Sequence, residues 1–336
     1  MTTFAAAELE ARFRDAEASA EPGHGAVRRR LLPDSRLDLF TEVRLPAGDW
    51  ALLLHSDQRF DDRDVLLTVG LTCRLRAGTV EVVAAPTTDK NLFCTLLADL
   101  VQHLLLATGD PSSALMTRIV SWQRMLGRGV PAGLSPEARV GLYGELLVLR
   151  EIVLPAQAGA AGVAAWVGPS GAPQDFRDGS AAVEVKTVSH RDPDHCRVNN
   201  EKQLDSTDLE RLFLVHQVVR GSPDGVSLAD LVDVLRSELP AGPRYLQFEN
   251  RLLDAGWLDT HRERYSDDRY ILTRRRCYVV GDRFPRLTAD DLPEGVESVS
   301  YSLDLTACTD HIVEERAVTA ALTTQVSGGR SGASVV

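Results

Sequence analysis

Acidic side chains and a lysine are spaced along this chain in a pattern suited to chemistry on a phosphate ester. Glu184 and Lys186 stand two residues apart in the apolar string AAVEVKT, and Asp175 precedes them in the string APQDF. Alternate side chains of a strand point to opposite faces, so Glu184 and Lys186 share one face of any strand that they form. If Asp175 projects to the same side from a neighbouring strand, two carboxylates converge, and one must protonate unless a cation is bound.

A divalent cation would relieve this repulsion, and the available ligands suit Mg²⁺, with Mn²⁺ as a substitute. Mg²⁺ prefers hard oxygen ligands and usually takes one or two carboxylates, waters and a phosphate oxygen of the substrate. Glu145 adds a third carboxylate in the middle of the most apolar helix pattern, where burial without a partner is costly. We therefore predict that Asp175 and Glu184 hold the metal, that Glu145 supports a second metal or a bound water, and that Lys186 assists the attacking water.

Lysine is rare in this chain, and this draws attention to Lys186. Of 37 basic residues only Lys90, Lys186 and Lys202 are lysine. A lysine ammonium is a compact charge whose pKa can be tuned, unlike that of arginine, so the two differ most inside a reactive site. The alternative interpretation of Glu184 and Lys186 is an ion pair on an exposed strand face.

The elements that must position these residues can be read from capping and periodicity. Ser135 is a predicted N-cap, followed by Pro136 and the apolar helix ARVGLYGELLVLREIVL. Short strands are predicted at 174–176 and 181–188, joined by an Arg-Asp-Gly-Ser turn, and a strongly apolar strand at 212–219.

The strings GLYGELLVL, WVGPSGAPQDF and AAVEVKT resemble the PD-(D/E)XK nuclease superfamily. The resemblance is greatest to a bacterial family of PD-(D/E)XK-motif proteins often found in restriction and phage-defence gene clusters, and it covers about residues 134 to 220. It implies a restriction-endonuclease-like core that cleaves DNA with Mg²⁺. The site residues that it implies are Glu145, Asp175, Glu184, Lys186 and, in the string EKQLD, Gln203.

Two features depart from the pattern of that superfamily. Pro173 lies two residues before Asp175 rather than next to it. Only about a dozen residues separate Asn199 from the strand that begins at Leu212, so the usual second core helix is missing, shortened or displaced. This leaves the role of Gln203 open.

The predicted fold is α/β, with a mixed sheet flanked by helices in the nuclease core. We expect an N-terminal α+β domain at 1–130, the core at 131–225, a C-terminal helical and β extension at 226–322, and a disordered tail at 323–336. In the first domain, strand patterns at 37–43, 50–55, 65–76 and 79–84 suggest a meander or small barrel. Helix patterns follow that Asp89 and either Ser112 or Ser113 could cap.

Composition excludes several classes of protein. The 336 residues are 44% hydrophobic and 25% charged, which excludes collagen-like, coiled-coil and largely disordered chains. The five cysteines form no C-x-x-C pair, and the chain has no apolar leader or membrane-span pattern, so we expect a cytoplasmic protein that contacts no membrane. Its net charge of −11 repels nucleic acid at long range, so a local basic patch or a partner subunit must contact DNA.

Three further groups of residues are weaker candidates for function. His190, His195 and Cys196 lack a fourth metal ligand at suitable spacing, so a polar loop is the favoured interpretation. The runs 28–30 and 274–276, each of three arginines, and Lys202 are candidates for contacts with a nucleic-acid backbone. Residues 227–280 fit either a helical extension packed on the core or a winged-helix-like DNA reader.

Together these observations predict a Mg²⁺-dependent DNA endonuclease that acts in restriction or phage defence. No nucleotide-binding motif such as G-x-x-x-x-G-K-[ST] is present in the sequence. We therefore expect partner subunits, an ATPase or a methyltransferase, on separate chains, and a homo-oligomer is compatible with the sequence. The alternative is a non-catalytic nuclease fold that acts as a scaffold or DNA-recognition subunit of a defence complex.

Overall fold

The chain divides into two units, Met1–Ala132 and Gly133–Val336. The computed structural model describes residues 5–20, 25–127, 133–157, 159–189 and 192–323. The second unit contains both the predicted nuclease core and the predicted C-terminal extension. None of the helices in these described ranges is long and apolar enough to cross a membrane.

The first unit combines an open antiparallel sheet with helices that pack against it. Its strands are β1 (Gly25–Arg30), β2 (Leu39–Leu45), β3 (Asp49–His55), β4 (Arg63–Thr68), β5 (Leu71–Arg76) and β6 (Thr79–Ala84), in the order β1-β2-β3-β6-β5-β4. Its helices are α1 (Ala6–Ala18), α2 (Lys90–Leu106) and α3 (Pro111–Gly127). Phe13 of α1 stacks on Trp50 of β3 with ring centroids 4.6 Å apart, which joins the helical layer to the sheet.

Two details of the first unit differ from the sequence-based expectation. The single strand predicted at 65–76 is a hairpin, because Gly70 adopts a φ of +80° that reverses the chain. Helix α3 is capped by Asp110, whose carboxylate accepts the backbone N–H of Ser113, rather than by a serine. Asp89 caps α2 as predicted, accepting two backbone N–H groups.

The second unit is built on a mixed sheet, as predicted, and the structure describes five strands in it. Its strands are β7 (Phe176–Asp178), β8 (Ala181–Ser189), β10 (Arg211–Ser227), β11 (Arg269–Val280) and β13 (Ile312–Val313), in the order β13-β11-β10-β8-β7. Strands β8 and β10 are parallel, and the other neighbours are antiparallel. A separate two-stranded sheet pairs β9 (His195–Val198) with β12 (Tyr301–Asp304).

Helices of the second unit pack on one face of this sheet. They are α4 (Pro136–Val148), α5 (Leu154–Ala156), α6 (Leu228–Glu238), α7 (Pro243–Asp254) and α8 (Glu315–Thr323). Ser135 accepts a backbone N–H bond as the N-cap of α4, as predicted, and Ser227 does the same at the start of α6. A π-helical turn, Leu149–Val153, extends α4. The chain between Asn199 and Arg211 forms turns and no helix, so the usual second core helix is absent from this segment, as the short spacing predicts.

Strand β11 makes the C-terminal region part of the central sheet. It pairs along most of its length with β10, and helices α6 and α7 contribute Leu231 and Phe248 to the same hydrophobic core as Val183 of β8. Residues 227–280 are therefore part of the core unit, which fits the helical extension and not a separate winged-helix reader.

Gly144 lets helix α4 approach the sheet closely. A Cβ atom at this position would lie 1.7 Å from Thr187 Oγ1 and 2.7 Å from Thr187 Cβ of strand β8. Atoms cannot approach that closely, so any larger residue would push the helix away from the strand. This contact sets the distance between helix α4 and the sheet at the next residue, Glu145.

The substitution Gly144→Ala should therefore destabilise the chain, by about 1–3 kcal/mol as is usual for overpacking. Gly141→Ala on the same helix is the matched control, because a Cβ atom there has no neighbour within 4 Å. It should be neutral or stabilise by up to about 1 kcal/mol through helix propensity. Urea unfolding of both variants measures the difference, and equal stabilities would show that α4 does not depend on this contact.

Candidate active site

Asp175 lies at the edge of the central sheet, immediately before the edge strand β7. Its Oδ2 atom accepts the backbone N–H of Val185 at 2.8 Å, and its backbone oxygen accepts the N–H groups of Val167 and Gly168. Strand β7 begins only at Phe176, so the carboxylate takes the place of a strand partner for Val185. The aspartate is thus fixed beside the backbone that separates Glu184 from Lys186.

Glu184 and Lys186 form a buried pair on one face of β8. Lys186 Nζ lies 2.8 Å from Glu184 Oε1, and the two residues are only 1% and 9% exposed. Val183 and Val185 lie on the other face, in the core beneath α4. The alternation predicted from the sequence is present, and the exposed ion-pair interpretation does not apply because both charges are out of water.

Gln203 contacts the lysine directly. Its Oε1 atom accepts hydrogen bonds from Lys186 Nζ at 2.9 Å and from the backbone N–H of Asn199 at 2.8 Å. The buried Gln174 donates to the backbone oxygen of Lys202 at 2.8 Å and so holds the turn that carries Gln203. The short turn that replaces the second core helix therefore still brings this glutamine to the site.

Glu145 reaches Asp175 from the opposite face of the sheet. Its helix packs on the face of Val183 and Val185, and its Oε2 atom accepts a hydrogen bond from the indole N–H of Trp166 at 2.8 Å. After burial itself, the charge of Asp175 at the sheet edge does most to raise the pKa of Glu145. The sequence suggested that Asp175 could join Glu184 and Lys186 on one strand face, with Glu145 on the preceding helix. Asp175 instead lies at the sheet edge, between the face that the helix of Glu145 covers and the face that carries Glu184 and Lys186.

Burial disfavours the charged forms of all three carboxyl groups. It raises the pKa of Glu145 to about 8 and that of Asp175 to about 6, and it raises the pKa of Glu184 well above its usual range, with Asp175 adding to the effect on both glutamates. Burial alone would lower the pKa of Lys186, but the Glu184 carboxylate outweighs it and raises this pKa. One ammonium thus faces three acids, and a further positive charge would be stabilised here.

The donor set fits a divalent cation that keeps part of its hydration. Glu184 Oε2 is buried and has no hydrogen-bond partner in the part of the chain that the structure describes, and hard carboxylate oxygens suit Mg²⁺. Among the described residues, no group of three or more His, Cys, Asp or Glu side chains is arranged to hold a metal ion. Asp175 and Glu184 provide two carboxylates, and Mg²⁺ commonly binds one or two, with water and substrate completing its coordination shell. Metal binding by these two and by Glu145 stays a prediction.

The remaining candidates from the sequence lie elsewhere. His190 falls outside the described residues. His195 pairs with Asp192 at 2.8 Å on the surface, and Cys196 is buried, so these two do not face one another as metal ligands. In the first unit Arg28 pairs with Glu42. Arg275 points away from Lys186 and contacts Gln217 and Glu151 beneath α4.

Sequence reasoning missed two residues that hold the site together, Trp166 and Gln174. Both lie in the string WVGPSGAPQDF. A tryptophan in a stretch of small residues carries an N–H that needs a partner once buried, and this signal indicated a polar contact without naming Glu145. Nothing in the sequence pointed to the turn that Gln174 supports.

One comparison with known proteins finds a match. A family model described as "Putative PD-(D/E)XK family member (DUF4420)" matches residues 7–306. No curated protein and no solved structure matches the chain.

The raised pKa of Glu145 makes stability depend on pH. The folded chain keeps this proton up to about pH 8, whereas the unfolded chain loses it near the ordinary value of 4.5, so the free energy of unfolding falls as pH rises between these values. Glu145→Gln keeps an acceptor for Trp166 and removes the titration. It should stabilise the metal-free chain at pH 8 by on the order of 1–3 kcal/mol and have little effect at pH 4.5.

Glu42→Gln is the control of opposite sign. Burial would raise the pKa of Glu42, but hydrogen bonds from Arg44 and Arg28 outweigh it and lower this pKa. Stability from Glu42 is therefore present above its ordinary pKa and lost as pH falls, and the variant should be less stable at pH 8. Thermal unfolding in EDTA at both pH values checks this, and destabilisation of Glu145→Gln at pH 8 would show that the buried glutamate is ionised.

Proposed function

The chain belongs to the DUF4420 family of PD-(D/E)XK members, and on that premise we propose that it is a metal-dependent nuclease that hydrolyses phosphodiester bonds in DNA. The observation that carries the proposal is the contact set around Lys186. This buried ammonium is held between Glu184 and Gln203, while Asp175 is fixed on the backbone of Val185. Such a site combines acidic oxygens for a cation with one amine for a phosphate.

Asp175 and Glu184 are the residues that would hold Mg²⁺, or Mn²⁺ in its place. The bound ion would polarise the phosphoryl oxygen and make a water more acidic. The backbone N–H of Val185 keeps Asp175 in place, and Glu184 presents an oxygen that makes no hydrogen bond to any residue within the described ranges. Glu145, which meets Asp175 from the helical face, would support a second ion. At pH 7 it keeps its proton in the metal-free chain, because burial raises its pKa to about 8.

Lys186 would act on the phosphate and the attacking water, and Gln203 would position Lys186. The ammonium stays protonated, because Glu184 raises its pKa, and it can neutralise charge that develops on the phosphate. Gln203 has no charge, so it can orient Lys186 without competing for the cation. Gln203 would therefore position the amine of Lys186, and Lys186 itself would contact the reacting groups.

The substrate class and biological role follow from the resemblance of the sequence motifs. We propose DNA as the substrate, cleaved internally, and restriction or phage defence as the setting. The net charge of −11 opposes binding to a polyanion, which supports the need for partner subunits such as an ATPase or a methyltransferase. The competing proposal is a nuclease-fold scaffold without catalysis, and the complete set of Glu145, Asp175, Glu184 and Lys186 favours the enzyme.

Plasmid DNA cleavage tests this function. The purified chain should nick or linearise plasmid with Mg²⁺ or Mn²⁺ and lose activity in EDTA. Lys186→Ala and Asp175→Asn should each lower the rate by about 100-fold or more, because each removes a group that acts on the reacting phosphate or on its cation.

Arg316→Ala is the control for loss of one positive charge, because Arg316 lies on the exposed face of α8, where it pairs with Glu314. Its activity should stay within about twofold of the wild type. Equal cleavage by Lys186→Ala and the wild type would point to a contaminating nuclease and remove support for this site. Absence of cleavage under every condition, including with partner subunits added, would favour the scaffold.

A further inference from the structure

His216 is a buried histidine whose ring nitrogens both lack a hydrogen-bond partner in the described part of the chain. It lies on β10 and is 1% exposed, and neither Nδ1 nor Nε2 makes a hydrogen bond to a described residue. A neutral imidazole carries one N–H donor and one acceptor, and buried polar groups normally have partners. The proposed reaction does not use this residue, so its unmet hydrogen bonds require an explanation.

The register of the sheet places His216 next to the catalytic lysine. His216 is paired with Lys186 on β8 in the parallel direction and with Arg276 on β11 in the antiparallel direction. Side chains in register on neighbouring strands point to the same face, and the strands lie about 4.8 Å apart. The face that carries Glu184 and Lys186 therefore continues through His216 to the arginines of β11.

Two arginines on this face share a single carboxylate. Arg274 Nη2 lies 2.7 Å from Asp194 Oδ1, and Arg276 Nη1 lies 3.7 Å from the same oxygen. Arg274, Asp194 and Arg276 are also the charged groups that act on the His216 ring. In addition, Arg274 Nε is a buried donor that finds no acceptor among the residues described. This cluster of side chains thus contains two guanidinium groups, one carboxylate and N–H donors without partners among the described residues, so it has an excess of positive charge.

We propose that His216, Arg274 and Arg276 form an anion-binding subsite for a phosphate group, and that the Asp194 carboxylate occupies the position of this anion in the free protein. A phosphate offers more acceptor oxygens than one carboxylate, so it can bind both arginines together with the imidazole N–H and Arg274 Nε. Asp194 is partly exposed and can be displaced by an incoming anion.

The identity of the phosphate as part of a nucleic-acid backbone rests on the proposed nuclease function. The row that runs from Lys186 through His216 to Arg276 spans two strand spacings, roughly 10 Å. A strand whose scissile phosphate lies at Lys186 could therefore place a neighbouring phosphate at the arginines. The subsite would fix the register of the substrate without reading its bases.

Inorganic phosphate tests the subsite without requiring cleavage. In the full chain, the ring nitrogens of His216, assigned with His216→Asn, should shift saturably in ¹H–¹⁵N spectra as phosphate is added, and not with sodium chloride at the same ionic strength. Asp194→Asn removes the competing carboxylate and should bind phosphate several-fold more tightly. A His216 ring that does not respond, or an Asp194→Asn variant with unchanged affinity, would overturn the proposal.

Duplex DNA in Ca²⁺ distinguishes a backbone phosphate from a free anion. Arg276→Gln should weaken binding by about tenfold at low salt and lower the salt dependence by about one phosphate contact. Arg269→Gln is the matched control on the same strand: Arg269 is 39% exposed and pairs with Asp230, and Arg276 is 38% exposed and pairs with Asp194. It should change affinity less than about twofold.

The phosphate titration and the DNA-binding experiment test the subsite separately from the nuclease function. Equal DNA affinities of Arg276→Gln and Arg269→Gln, with phosphate still bound, would overturn the assignment to a nucleic-acid backbone. A chain that cleaves DNA but whose His216 ring ignores phosphate contradicts the subsite alone. A chain that binds phosphate at His216 but never cleaves DNA supports the subsite and contradicts the nuclease.

Discussion

Burial of three carboxyl groups beside one ammonium is the constraint around which the second unit is organised. Removing an ionised carboxylate from water costs several kcal/mol unless it is paired, hydrogen-bonded or protonated. Each acid receives a different compensation: Glu145 an indole N–H, Asp175 a backbone N–H, and Glu184 the amine of Lys186. These compensations are incomplete, because the pKa values of all three carboxyl groups remain raised. A divalent cation would stabilise their ionised forms.

The edge of the sheet is the place where these demands can be met together. In the interior of a sheet the Val185 N–H would bond to a neighbouring strand, but β7 starts too late to provide that partner, and Asp175 supplies it instead. Gly168 permits this arrangement, because a Cβ atom there would lie 2.8 Å from Asp175 Oδ1. Because β7 starts after Asp175 and Gly168 has no side chain, the N–H of Val185 is free to hold the Asp175 carboxylate, which raises the pKa values of Glu145 and Glu184.

Local rules in the sequence predicted the parts of the site that depend on neighbouring residues. Alternation placed Glu184 and Lys186 on one face, and capping signals located the start of α4 at Ser135. The position of Glu145 on the opposite face, and its bond to Trp166, depend on which face the helix covers, and this is decided by packing between distant segments. The same holds for β11, which joins the sheet through pairing with β10 that no local pattern encodes.

Hydrogen bonds between α4 and the sheet hold the helix that carries the buried Glu145 in place. Gln217 is fully buried and donates to the backbone oxygen of Gly144 at 2.9 Å, while its own oxygen accepts from Arg275. Arg275 also binds Glu151 in the π-helical turn that extends α4. The helix is therefore bonded to the sheet on both sides of Glu145 along its axis. Because those bonds involve neither carboxylate oxygen of Glu145, they hold the helix whether that acid is protonated or ionised, and the site can change charge without releasing its scaffold.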